Sequence, residues 1–193
     1  MKEKDVITNG RFGGLVERFH TWPRIQHQNT GEHSWQAMRI YYMISGPLPP
    51  QVSTYFIWHD AGEVKSGDMP YNTKRTDPHV EAVIEGIEAD TIQGMGGPSN
   101  IYEELTSTEL TRCKFCDMMD IVEWSITELA FGNRFALAIF ENSYESIVKQ
   151  LEHLRGTEGH KAFVYLRKVL LTANAYGVIL PGVTLKAALE AAK

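Results

Sequence analysis

An all-α fold is predicted for this 193-residue chain by three features of its sequence. Apolar residues recur at spacings of three and four through several long segments, which gives each segment one apolar face as a helix. Cap and breaker residues bracket those segments. No segment sustains the apolar–polar alternation of a half-buried strand; 41–44 and 178–180 come nearest, and both are short.

Taken in order, Phe12, Leu15, Val16 and Phe19 fall at helical spacing, so a short amphipathic helix is expected over 6–19, weakened by Gly13-Gly14. The polar, proline-containing run 20–29 reads as a loop. A second helix is expected over 30–45, with Thr30 as its N-cap and Trp35, Met38, Ile40, Tyr42 and Met43 apolar, stopped by Gly46-Pro47-Leu48-Pro49-Pro50. A third, over 51–65, is built on Val52, Tyr55, Phe56 and Ile57. Residues 66–70 turn the chain and 71–77 form a basic loop. Asp77 and Pro78 suit the cap and first turn of a fourth helix over 78–93. After the glycine-rich break 94–100, a long helix over 107–130 ends at Gly132-Asn133. Helices over 134–154 and 158–176 complete the core, and a short polar helix over 185–192 closes the chain.

Hydrophobic residues make up 43% of the chain and charged residues 22%, an ordinary balance for one globular domain, here 1–193. A net charge of −5 argues against capture of a nucleic acid polymer, which needs many clustered cations. No apolar run is long enough to span a bilayer, and Met1-Lys2-Glu3-Lys4-Asp5 lacks the apolar core of a signal peptide. A cytoplasmic protein without a membrane partner is expected. Cys113 and Cys116 fit a reducing compartment.

The chemistry concentrates in Trp58-His59-Asp60-Ala61-Gly62-Glu63-Val64-Lys65-Ser66-Gly67-Asp68-Met69-Pro70. On a helix, His59, Asp60 and Glu63 share a face, and an imidazole beside carboxylates suits a divalent cation. His33, near a helix start, offers a second imidazole. Asp117 or Asp120, both on the long helix amid Cys, Phe and Met, offers a further carboxylate, since a buried unpaired one would be costly. His33, His59, Asp60 and one of these aspartates would hold Mn, Co or Mg with positions left for water and a phosphate oxygen, and would tolerate zinc. Glu63 would then hydrogen-bond the attacking water, and Asp68 would support it or protonate the leaving group. Arg18, Lys74, Arg75 and Lys114 are the cations placed near a phosphate, and Phe19 and Trp22 the aromatics placed to stack on a base or sugar. The CxxC of Cys113 and Cys116 falls mid-helix with no second pair, so both read as small buried hydrophobes. His79, His153 and His160 read as surface residues.

Glu32-His33-Ser34, the 59–70 run, Lys74, and Asp117 followed by Glu-Leu-Ala-Phe-Gly-Asn at 128–133 resemble the HD-domain phosphohydrolases of the bacterial 5′-deoxynucleotidase group. They are similar, more closely still, to the phage enzymes of that group that hydrolyse dATP. The resemblance runs from about residue 16 to 133. It implies an HD-domain helical bundle and a divalent metal (Co, Mn, Zn or Mg) on His33, His59, Asp60 and Asp117, selecting Asp117 over Asp120. It implies Glu63 and Asp68 as catalytic acids, and phosphate contacts from Arg18 and Lys74. Phe19 stands where the deoxynucleotidases carry tryptophan, with Trp22 three residues on, which bears on base and sugar selection. The implied reaction is metal-dependent hydrolysis of a deoxynucleotide, in its sharpest form dATP to deoxyadenosine and triphosphate, depleting dATP from the pool in the host cytoplasm of a phage. The alternatives are a 5′-deoxynucleotidase acting on monophosphates and a non-catalytic nucleotide-binding HD protein; the presence of both Glu63 and Asp68 speaks against the latter. Family members form dimers and larger rings, so a homo-oligomer, dimer or hexamer, is expected.

Overall fold

The longest helix carries the arrangement. The computed structural model describes residues 10–74, 77–154 and 156–180, and within them a 3-10 turn at Gly13–Leu15 is followed by α1 (Thr30–Ser45), α2 (Pro50–Trp58), α3 (Glu63–Ser66), α4 (Tyr71–Lys74), α5 (Pro78–Gly94), α6 (Ser107–Ala130), α7 (Ala136–His153) and α8 (Gly156–Ala175). No strand occurs among the described residues; one isolated antiparallel bridge joins Glu17 and Asn29. The chain is therefore all-α, and none of its described helices is long and apolar enough to cross a membrane.

α6 packs along α7 on one side and α1 on another, and also touches α2 and α8. Cys113, Phe115, Cys116, Met119, Val122 and Ile126 of α6 meet Ile40 and Tyr41 of α1, Phe56 of α2, Phe140 and Ile147 of α7 and Leu166 of α8 in one continuous core. Both cysteines are buried and free, and burial above all pushes the Cys113 thiol up to about 12, so they pack as hydrophobes.

The ends follow from local chemistry. A capping box opens α6, Thr106 accepting from the Glu109 N–H while Glu109 reaches back to the Thr106 N–H. Asp77 caps α5, with Pro78 in its first turn. α1 is capped by Asn29, not Thr30: Asn29 and Glu32 form the reciprocal box, and the Thr30 hydroxyl donates instead to Gly13 O at 2.7 Å.

Two expected helices differ. The amphipathic helix expected over 6–19 is helical at 10–12 and passes into the 3-10 turn, but it stops short of Phe19, the chain extending from Val16 at ψ 124°; 6–9 lie outside the described residues. A Cβ on Gly13 would meet Ala61 O at 3.3 Å and one on Gly31 would meet Gly14 O at 2.9 Å, so the segment threads between α1 and the 59–62 turn, where the backbones leave little room. The expected 51–65 helix breaks after Trp58: the Ala61 and Glu63 N–H groups bond to the carbonyls three residues back, and a Cβ on Gly62 would sit 2.7 Å from Glu88 Cα of α5. Packing of the turn against α5 overrides helix propensity there. Part of the expected 71–77 loop is helical, as α4. The expected helix over 185–192 lies outside the described residues.

Candidate active site

The capping box at Asn29 fixes the first turn of α1, and one residue past Glu32 His33 projects into the interior, wholly buried. The break after Trp58 leaves His59 at the C-cap of α2, where its Nδ1 donates to Phe56 O at 3.2 Å and its ring stacks on Tyr55. With that proton on Nδ1, Nε2 carries the free lone pair, and it is buried without a hydrogen-bond partner. It lies 3.3 Å from Asp60 Oδ2 and 4.0 Å from Asp117 Oδ1. His33 Nε2 lies 2.5 Å from Asp117 Oδ1 and 3.7 Å from Asp60 Oδ2. Ligand atoms of His33, His59 and Asp60 fall within 4.8 Å of one another, and Asp117 closes the cluster from α6. The two imidazoles form its floor, 0% and 6% exposed, and the two carboxylates its rim, 17% and 18% exposed.

A lone pair aimed at two carboxylates is repulsive unless something positive lies between them, and this donor set fits a divalent cation. A proton on His33 offsets part of the negative charge of the carboxylates. Burial and Arg18 push His33 down, but its hydrogen bonds to Asp117 and Asp120 prevail and raise it to about 9. Burial likewise opposes ionisation of Asp117, yet His33, His59 and Arg18 hold it at about 2. Asp60 is lowered against burial by His59, Arg18 and His33.

Asp120, the competing aspartate, lies on the other edge of the His33 ring: its Oδ2 accepts from Nδ1 at 2.6 Å and from Gln28 Nε2 at 2.8 Å. Glu63 stands beside the cluster at the start of α3, with Oε2 buried and unpartnered. Burial first, then Asp60, Asp68 and Glu88, push it up to about 10 against the pull of Arg18.

The remaining expected residues are placed as follows. Arg18 is buried and its Nη1 donates to Asp60 Oδ2 at 2.7 Å. Phe19, at φ 54°, stacks on Trp124 with centroids 4.1 Å apart, and its N–H donates to Asp68 Oδ2 at 2.8 Å. Trp22 is exposed at the loop surface. Lys74 donates to Glu88 Oε2 at 2.8 Å, and Lys114 is exposed on α6. Arg75 lies outside the described residues. His79, His153 and His160 are exposed. A cavity of about 490 Å³ bounded by Gln26, Gln28, Trp35 and Trp124 contains none of the four candidate ligands, so the chemistry is assigned to the histidine–aspartate cluster.

Two residues that organise the site entered the sequence reading only as the ends of the 128–133 motif, with no role of their own. Glu128 is fully buried on α6, accepting from Ile25 N at 2.8 Å, Gln26 N at 2.6 Å and Asn133 Nδ2 at 2.6 Å. Asn133 also donates to Pro23 O at 2.8 Å. Together they clamp the 18–28 loop that carries Arg18 and Phe19. The 128–133 motif was the available signal for Glu128 and Asn133; Gln28 offered none.

An all-α scaffold that brings a His-Asp pair together with a second histidine and an aspartate from two other helices defines an HD-domain metal-dependent phosphohydrolase. Residues 14–168 match the family model described as 5'-deoxynucleotidase YfbR-like, and the chain belongs to that family. Its substrate class is accordingly a deoxynucleotide and its cofactor a divalent metal. Among solved structures, the HD phosphohydrolase DatZ of cyanophage S-2L, described as bound to dA and one catalytic Zn2+ ion, has the same fold: TM-score 0.69 at 18% identity, over 91% of this chain and 98% of that one. No curated protein sequence matches.

Proposed function

We propose that this enzyme hydrolyses dATP at the α-phosphorus, water attacking Pα and the bond to O5′ breaking, to release deoxyadenosine and triphosphate. The observation that carries the reading is the convergence of His33, His59, Asp60 and Asp117 beside an unpartnered Glu63 carboxyl oxygen. The dA and zinc in the DatZ structure support adenine deoxynucleoside and metal at such a site.

His33, His59, Asp60 and Asp117 would hold the cation, which when bound supplies a Lewis acid that makes water a nucleophile near neutral pH and offsets phosphate charge. Glu63 keeps its proton while its neighbours are anionic; added positive charge beside it favours the carboxylate, which takes a proton from the attacking water. Asp68, tied to the Phe19 N–H, sits where the loop meets α3 and supports Glu63, and the proton taken from the attacking water is handed on to the leaving O5′ as its bond to Pα breaks. Arg18, paired with Asp60, would turn to the phosphate where Asp60 holds the cation, and Lys74 would exchange Glu88 for a phosphate oxygen. Phe19, Trp22 and Lys114 complete the substrate side. The enzyme acts in the cytoplasm as a homo-oligomer.

The family description favours a second reading, release of inorganic phosphate from deoxynucleoside monophosphates. Both reactions break the same P–O5′ bond, and they differ in what lies beyond Pα. Chromatography of products from dATP, dAMP and ATP with Mn, Co, Mg or Zn decides between them. Deoxyadenosine plus intact triphosphate is expected from dATP. Turnover of dAMP alone would replace the first reading with the second, and no turnover of any deoxynucleotide would remove both.

A further inference from the structure

Asp120 is used by neither the cation set nor the proton transfers, yet it is one of the few buried acids among the described residues, 3% exposed. Its Oδ2 lies 2.6 Å from His33 Nδ1 and 2.8 Å from Gln28 Nε2, and Gln28 is itself 6% exposed. Gln28 is held in turn through its carbonyl, which accepts from Arg18 N at 2.9 Å. One hydrogen-bonded chain therefore runs from the substrate-side loop through Gln28 and Asp120 to the far edge of the His33 ring.

We propose that Asp120, clamped by Gln28, is a positioning residue that orients His33 and sets the affinity of the metal site. The reasoning rests on the reading of His33, His59, Asp60 and Asp117 as one cation site. An imidazole binds a cation through one nitrogen, and the proton must then reside on the other. An anionic acceptor at Nδ1 fixes that tautomer, locks the ring plane so that Nε2 faces Asp60 and Asp117, and makes Nε2 a stronger donor. His59 has only a backbone carbonyl at its Nδ1, 3.2 Å away. His33 is thus the imidazole with the stronger support, and the first place where loss of support is felt. Gln28 matters because a neutral amide donor takes the second hydrogen bond of the same oxygen without bringing a cation that would neutralise Asp120. Because Gln28 also anchors Arg18, displacement of the 18–28 loop would loosen the metal ligand as well as the phosphate contact.

The test measures zinc affinity of the metal-free full chain by competition with a chromophoric chelator, for wild type, Asp117→Ala, Asp120→Asn, Asp120→Ala and Gln28→Leu. Urea midpoints of the metal-free proteins serve as the fold control. Removing such a supporting partner weakens metal binding by about 10- to 100-fold, so Asp120→Ala falls in that range while still unfolding cooperatively, with a midpoint lowered by the donors it leaves without an acceptor. Asp120→Asn, isosteric and still able to accept at Nδ1, falls between Asp120→Ala and wild type; it carries the test should Asp120→Ala not fold. Gln28→Leu weakens binding a few-fold. In the zinc-loaded wild type an imidazole N–H proton resonance is shifted downfield by the carboxylate and is lost in Asp120→Ala, which a packing defect would not select. Wild type that takes up one zinc with Asp117→Ala impaired, while Asp120→Asn and Asp120→Ala bind within two-fold of wild type, overturns the positioning role and leaves the metal site standing. Wild type that binds no zinc overturns the metal site, and the positioning role with it.

Discussion

Replacing Glu128 by glutamine changes one atom and should loosen the whole 18–28 loop. In the native protein the carboxylate meets three donors: Ile25 N and Asn133 Nδ2 at one oxygen, Gln26 N at the other, at 2.6 to 2.8 Å. Glutamine has a single acceptor oxygen. If that oxygen keeps Ile25 and Asn133, the amide NH2 faces the Gln26 N–H, donor against donor, and the part-buried Gln26 N–H is orphaned at about 1–3 kcal/mol. The two retained bonds lose their charge assistance, roughly half of the 1.5–3 kcal/mol that a bond to a charged group contributes. The sum is about 2.5–6 kcal/mol, which at about 2–4 °C per kcal/mol for a chain of this size lowers Tm by roughly 5–20 °C. Urea and thermal unfolding of wild type and Glu128→Gln measure it, and hydrogen exchange at Ile25 and Gln26 locates it. Because the loop carries Arg18 and Phe19, KM rises as well. A variant within about 0.5 kcal/mol of wild type, with its loop amides still protected, would refute the clamp.

Glu63→Gln should lower turnover by about 10²- to 10⁴-fold while metal content stays unchanged; turnover that survives would remove Glu63 from the mechanism. Lys74→Ala should raise KM about 10-fold or more through loss of one charge-assisted phosphate contact, whereas Glu88→Gln, which frees Lys74, should lower it; an unchanged KM in both would place Lys74 outside the substrate site. In the metal-free protein His33 is raised from 6.5 to about 9 and Glu63 from 4.5 to about 10. Both groups thus hold protons in the fold that the unfolded chain has released. Their stabilisation is full below the unfolded values and is lost as pH rises through the folded ones, so Tm in EDTA should fall between pH 6.5 and 9. A Tm that climbs over that window would show that the fold does not retain these protons.

Several elements could be read in the sequence because their causes are local. α6 was legible at both ends, since its apolar face repeats over many turns and Gly132, at φ 93°, stands just past it. The α1 cap was misplaced by one residue because Asn29 and Thr30 are both cap formers, and only the reciprocal bond to Glu32 distinguishes them. The break at 59–62 was hidden because its cause, the approach of Gly62 to Glu88, joins residues 26 apart in sequence. Asp117 and Asp120 lie three apart on the same helix, so periodicity alone leaves open which one meets Nε2 of His33 and which meets Nδ1. The family motif ranked them, and the geometry shows the two ring edges they occupy. Lys74 illustrates the limit for cations: the sequence marks a charge near the site, but its pairing with Glu88 depends on how α5 packs.

The most direct test of the account is an anomalous difference map from crystals grown with zinc. The account predicts one peak per chain within about 2.0–2.2 Å of His33 Nε2, His59 Nε2 and a carboxylate oxygen from each of Asp60 and Asp117. A peak bound elsewhere, or those four side chains turned apart with no ion among them, would contradict it.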